Sequence, residues 1–62
     1  MIDSIEIDGV PAVVHFDAGA GLFRGEITLP RGSADFFAPD LPSLREEGRV
    51  SLRVLREALA RL

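Results

Sequence analysis

Apolar and polar residues alternate over the first two thirds of the chain and then shift to a helical spacing. From Val10 to Asp17, Ala12, Val14 and Phe16 point one way while Val13, His15 and Asp17 point the other, the period of two that a strand requires. Just upstream, Ile5 and Ile7 alternate with Ser4, Glu6 and Asp8. The Asp8-Gly9 pair between these stretches reads either as a tight hairpin turn or as a bulge in one long strand. Pro11 has no N–H to give to a ladder, which places this stretch at an edge or an irregularity.

Asp17-Ala18-Gly19-Ala20-Gly21 forms a loop, after which Phe23, Gly25, Ile27 and Leu29 alternate with Leu22, Arg24, Glu26 and Thr28. Gly25 leaves a gap among the apolar positions, wide enough for another backbone or a bulky helix side chain. Pro30-Arg31-Gly32-Ser33 is a turn signal. Ala34-Asp35-Phe36-Phe37-Ala38 then reads as a short strand ended by Pro39.

A helix follows. Asp40 is a good N-cap, and Pro42 falls in the first turn, where its missing N–H costs nothing. Leu41, Leu44, Gly48, Ser51, Leu52, Leu55, Ala58, Leu59 and Leu62 share one stripe, opposed by Arg45, Glu46, Arg49, Arg53, Arg56 and Ala60. Asp40, Glu46 and Glu47 lie early and Arg53, Arg56 and Arg61 late, as the helix dipole favours, and Glu57 and Arg61 stand at i,i+4 spacing. Gly48 costs roughly 1 kcal/mol relative to alanine inside a helix, and its place on the stripe points to close packing against the sheet. Val50 and Val54 fall off the stripe as a second apolar patch, either a wider core face or a surface for another subunit. The pattern predicts an α+β domain over residues 1–62, with a three-stranded antiparallel sheet followed by one C-terminal helix (β-β-β-α). The helix is expected on the face that carries Val14, Phe16, Phe23 and Ile27.

Sixty-two residues bury only about 60 % of the surface that the unfolded chain exposes, so such a core is marginal. The usual reinforcements are disulfides, a metal or oligomerisation. The chain has no cysteine, which closes the first route and the commonest structural metal site. A homodimer is therefore expected, through a strand edge or through Val50 and Val54. Hydrophobic residues make up 47 % of the chain, too many for a disordered tail. No apolar run reaches the ~18 residues needed to span a membrane, and Met1-Ile2-Asp3-Ser4 lacks the features of a signal peptide. The expected compartment is the cytoplasm.

The net charge of −3 is unevenly spread. Residues 1–40 hold seven acids against Arg24 and Arg31, giving −5; residues 41–62 hold five arginines against three glutamates, giving +2. The acidic part argues against nucleic-acid binding by the sheet, because phosphate contacts need basic groups. It suits a basic protein partner, with Glu6, Asp8, Asp17, Glu26 and Asp35 as candidate contacts. The plainer role of these acids is to keep a small sheet soluble. The helix arginines are interleaved with acids, and Phe16, Phe23, Phe36 and Phe37 read as core and not as a base-stacking platform.

Catalytic chemistry finds little support. The chain has no lysine and a single histidine, His15, and none of its serines sits in a nucleophile elbow. His15 and Asp17 share a strand face with Glu26 in reach, but a His-x-Asp pair is a weak metal signal. Gly19-Ala20-Gly21-Leu22 precedes a strand, so it fails the context of a phosphate-binding loop. No cofactor and no metal is expected.

The run from Ile5-Glu6-Ile7-Asp8-Gly9-Val10 through Val13-Val14-His15-Phe16-Asp17 resembles the opening of HicB-family antitoxins. Gly21-Leu22-Phe23-Arg24-Gly25-Glu26-Ile27 is similar to that family's second strand. Asp35-Phe36-Phe37-Ala38, followed by Asp40, Leu44, Glu47, Gly48, Ser51 and Leu52, resembles its third strand and capped helix. Order and spacing carry the likeness, which covers almost the whole chain. Two departures are Pro42-Ser43 where the family has a Glu-Glu pair, and Val10 where it has a tyrosine. The resemblance implies a degenerate ribonuclease-H-like domain that binds and neutralises HicA, a small basic messenger-RNA-cleaving toxin. Family members typically continue into a DNA-binding segment, so this chain reads as a short member or as a fragment of a longer one. The alternative function is a structural or oligomerisation domain without a toxin partner.

Overall fold

The computed structural model describes residues 2–62; the expectation for Met1 lies outside the described residues. Four strands, β1 (Ile2–Ile7), β2 (Val10–Asp17), β3 (Leu22–Leu29) and β4 (Gly32–Ala38), precede the helix α1 (Leu41–Leu59). The strands form one antiparallel sheet in the order β1-β2-β3-β4, each paired with its neighbour in sequence. The sheet thus has four strands, not the three expected. Asp8 and Gly9 decide this. Both have positive φ (48° and 83°), the geometry of a two-residue hairpin turn, and Ile7 and Val10 pair across it. Asp-Gly is the dipeptide that accepts two successive left-handed residues, so the chain reverses here and does not bulge.

Pro11 lies in β2, an interior strand. The β2–β3 register runs only over Val13–Asp17 against Leu22–Glu26, so the missing N–H falls where β3 does not pair with β2. The second connection is closed by the Gly21 N–H donating to the Asp17 carbonyl (2.8 Å) and by the Ala20 N–H donating to Asp17 Oδ1 (3.2 Å). The third is the Pro30-Arg31 pair, with Leu29 and Gly32 in register; β4 therefore starts two residues earlier than its apolar pattern suggests.

One face of the sheet carries Ile5, Ile7, Ala12, Val14, Phe23, Ile27, Phe36 and Ala38, and α1 packs across it, mostly over β4 and β3. Leu44, Gly48 and Leu52 are the buried helix positions, and Leu55 is half-buried beside them. Covering a leucine of this size stabilises the fold by about 1.5–3 kcal/mol. Gly48 is where helix and sheet meet most closely: a Cβ there would lie 2.9 Å from Ile7 Cδ1 and 3.0 Å from Phe36 Cε2. The space above Gly25 is filled from β4, by the ring of Phe36, and not by a helix side chain.

Asp40 caps the helix by accepting the Ser43 N–H (2.8 Å). No acid lies in the first turn of α1 itself, so Asp40 supplies the negative charge at that end, and Arg56 supplies the positive charge in the last turn. The backbone and side-chain hydrogen bonds from Ser43 hold the Asp40 carboxyl below its ordinary value. The helix ends at Leu59, which leaves Leu62 exposed and off the buried stripe. Arg61 therefore lies past the last turn, and no Glu57–Arg61 ion pair forms among the described residues.

Two of the four phenylalanines depart from the core role expected of them. Phe36 is buried and Phe23 half-buried, but Phe16 and Phe37 are 53 % and 52 % exposed. Phe37 follows Phe36 in the strand and so points to the other face. Phe16 stands at the end of β2, where it meets Phe23 edge-on at 4.9 Å between ring centres.

Candidate interaction surface

The helix covers one face of the sheet; the second face has no layer over it among the described residues. Strand alternation sets what this open face displays: Glu6 from β1, Val13, His15 and Asp17 from β2, Leu22, Arg24 and Glu26 from β3, Asp35 and Phe37 from β4. Register places these residues in rows across the strands. Val13, Glu26 and Asp35 form one row, and His15, Arg24 and Phe37 form the next.

The centre of the face is thus a carboxylate pair. Glu26 and Asp35 stand directly opposite each other on neighbouring strands, an arrangement that like charges disfavour. Arg24 holds them together: its Nη2 donates to Glu26 Oε2 at 3.3 Å and to Asp35 Oδ2 at 3.2 Å. All three side chains are roughly two-fifths exposed, so water screens the cluster and the net gain is small. Beside the cluster lie Phe37 and Val13, the latter 39 % exposed. With Glu6, Asp17, Glu26 and Asp35 against Arg24, and His15 neutral, the face carries four negative charges and one positive, a net −3.

The structure divides the five candidate acids. Glu26 and Asp35 are brought together at the centre. Glu6 lies on the same face at its β1 corner, where its carbonyl accepts Arg45 Nη1 at 3.4 Å. Asp17 shares the face but binds its own loop through the Ala20 N–H. Asp8 sits in the β1–β2 turn and is aimed at the helix, with Arg49 Nε 3.7 Å from its Oδ1; Arg49 also pairs with Glu46. Three apolar members of the face, Val13, Leu22 and Phe37, are not among the candidates read from the sequence. Strand parity, which puts Val13 with His15, Leu22 with Arg24 and Phe37 with Asp35, is the available signal.

His15, Asp17 and Glu26 do not form a metal cluster: among the described residues, no three His, Asp or Glu side chains converge on one point. No helix of the described residues is long and apolar enough to cross a membrane. Val50 and Val54 are exposed and line a shallow groove of about 330 Å³ between α1 and β4, with Ser33, Ala34, Leu55 and Ala58. A smaller hollow of about 180 Å³ opens where α1 begins, between Ile5, Val14, Phe16, Phe23 and Leu41. In comparisons with known proteins, no family model, no curated protein and no solved structure matches the chain.

Proposed function

We propose that this chain is an antitoxin-type binding module, similar in role to the HicB family, that neutralises a small basic messenger-RNA-cleaving toxin without catalysis of its own. The observation that supports this reading is the open sheet face: an acidic surface with an exposed phenylalanine and valine beside its central carboxylates. Such a face has the two ingredients of a protein-binding patch, apolar area to desolvate and charge to orient the partner. A basic partner would also relieve the Glu26–Asp35 repulsion by adding cations to a pair that Arg24 alone now bridges. The ordered likeness of the strand and helix motifs to HicB antitoxins names the class of partner. On this reading the protein acts in the cytoplasm, beside the messenger RNA that its partner cleaves.

The test is rescue of growth. A small basic protein encoded beside the gene is induced in bacterial cells with and without this chain. The expected result is arrest by the basic protein alone and recovery when the intact chain is present. Recovery should be lost in the Glu26→Arg, Asp35→Arg double variant. Failure of the intact chain to restore growth would overturn the proposal.

A further inference from the structure

The groove between α1 and β4 lies beneath an unprotected sheet edge. β4 is the last strand of the sheet, so the backbone groups on its outer side have no strand partner among the described residues. Its seven residues, Gly32–Ala38, contain no proline and no lysine, and the only charge is Asp35, which points to the open face. The other edge, β1, carries Asp3 and Glu6 and lies on the far side of the sheet from this groove. Directly under the β4 edge run Val50, Val54 and Ala58 of the helix, with Val54 57 % exposed.

We propose that this edge and groove form a two-fold interface with a second copy of the chain: β4 pairs antiparallel with its symmetry mate, and the two α1 helices lie side by side. A two-fold axis perpendicular to the sheet keeps both helices on the same face of a continuous eight-stranded sheet. Neighbouring strands are about 4.8 Å apart, and α1 lies over β3 and β4, so the two helix axes come to lie about 10 Å apart. That is the separation at which helices pack.

The helix flank facing the axis is self-complementary. Seven residues make two helical turns, so Glu47 and Val54 fall in one line along α1, and Arg61 follows in the turn just past the helix end at Leu59. An axis passing beside Val54 sets Val54 against its own copy and Val50 against Ala58 of the partner copy. The same axis sets Glu47 against Arg61 at both ends of the helix pair. Neither Glu47 nor Arg61 has an ion partner within its own chain among the described residues. This match of charge to its opposite by a two-fold rotation singles out a second copy as the occupant.

The interface does not depend on the proposed function, since the open face stays exposed in the dimer. Light scattering on the purified chain is expected to give twice the 6.7 kDa chain mass at high micromolar concentration. Glu47→Arg and Arg61→Glu should each raise the half-dissociation concentration about tenfold or more, and the two together should restore it. Val54→Glu, at an exposed position, should give a monomer with an unchanged circular dichroism spectrum. A monomer for the unmodified chain would overturn the proposal. So would a charge swap that fails to restore the dimer.

Discussion

The ring of Phe36 occupies the space that a side chain at residue 25 would need: a Cβ at Gly25 would lie 2.3 Å from Phe36 Cε2. The two residues are in register on neighbouring strands, so the ring lies across the strand next to its own. From there it also reaches Gly48 of the helix, where a Cβ would lie 3.0 Å from the same carbon. One buried ring is thus seated between two glycines, one in the sheet and one in the helix.

That seat predicts an order of costs. Gly25→Ala forces the buried ring aside and should destabilise the fold by about 1–3 kcal/mol, as overpacking does. Gly48→Ala meets looser contacts and regains about 1 kcal/mol of helix propensity, so it should cost less. Urea denaturation of both variants checks the order. Combining Gly25→Ala with Phe36→Leu should cost less than the sum of the two single changes, because the partners touch.

Leu52 is buried against the sheet, whereas Val54 two residues later is exposed. Leu52→Ala should cost about 2–5 kcal/mol, enough to unfold so small a domain. Val54→Ala, followed by chemical denaturation at concentrations where the chain is monomeric, should stay within about 0.5 kcal/mol.

The Asp40 cap makes a pH-dependent contribution of known sign. Its carboxyl is held below the ordinary value by the Ser43 N–H and then the Ser43 hydroxyl, so folding favours the charged form. The cap's contribution is therefore complete above the unfolded aspartate value, about pH 4. It fades as the pH falls through the lower folded value. Asp40→Ala should lower the thermal midpoint at neutral pH, with the difference from the parent protein shrinking on acidification below about pH 4. Asp40→Asn should keep most of the cap and lose that pH dependence.

Arg24 bridges two carboxylates that face each other across β3 and β4. Arg24→Gln should destabilise by about 0.5–1 kcal/mol at low salt. Added salt should shrink the loss by screening the Glu26–Asp35 repulsion. Denaturation midpoints at two ionic strengths test this.

Much of the fold was legible because period-two and helical spacing are written directly in the residues. The faces of β2 and β3, the Asp40 cap and the buried stripe of α1 follow from pattern alone. The fourth strand was missed at a single dipeptide. Asp8-Gly9 allows either a bulge or a reversal, and only the backbone, with both residues at positive φ, distinguishes them. Aromatic bulk points Phe16 and Phe37 to the core, yet parity sends Phe37 outward and Phe16 lies at a strand end. The candidate acids were legible as charge but not as geometry. Which of them meet depends on cross-strand register, and register brings Glu26 and Asp35 together while Asp8 turns to the helix. Arg24 as their bridge was equally hidden, since it lies eleven residues from Asp35 in sequence.

The partner proposed for the open sheet face is a basic protein. Isothermal titration of the purified chain with the small basic protein encoded beside its gene tests this most directly. The run is repeated at raised salt and with the Glu26→Arg, Asp35→Arg double variant. The account predicts one basic protein bound per chain, weaker binding in high salt, and loss of binding in the double variant while its circular dichroism spectrum is unchanged. Absence of binding by the intact chain, or binding that the double variant retains in full, would contradict it.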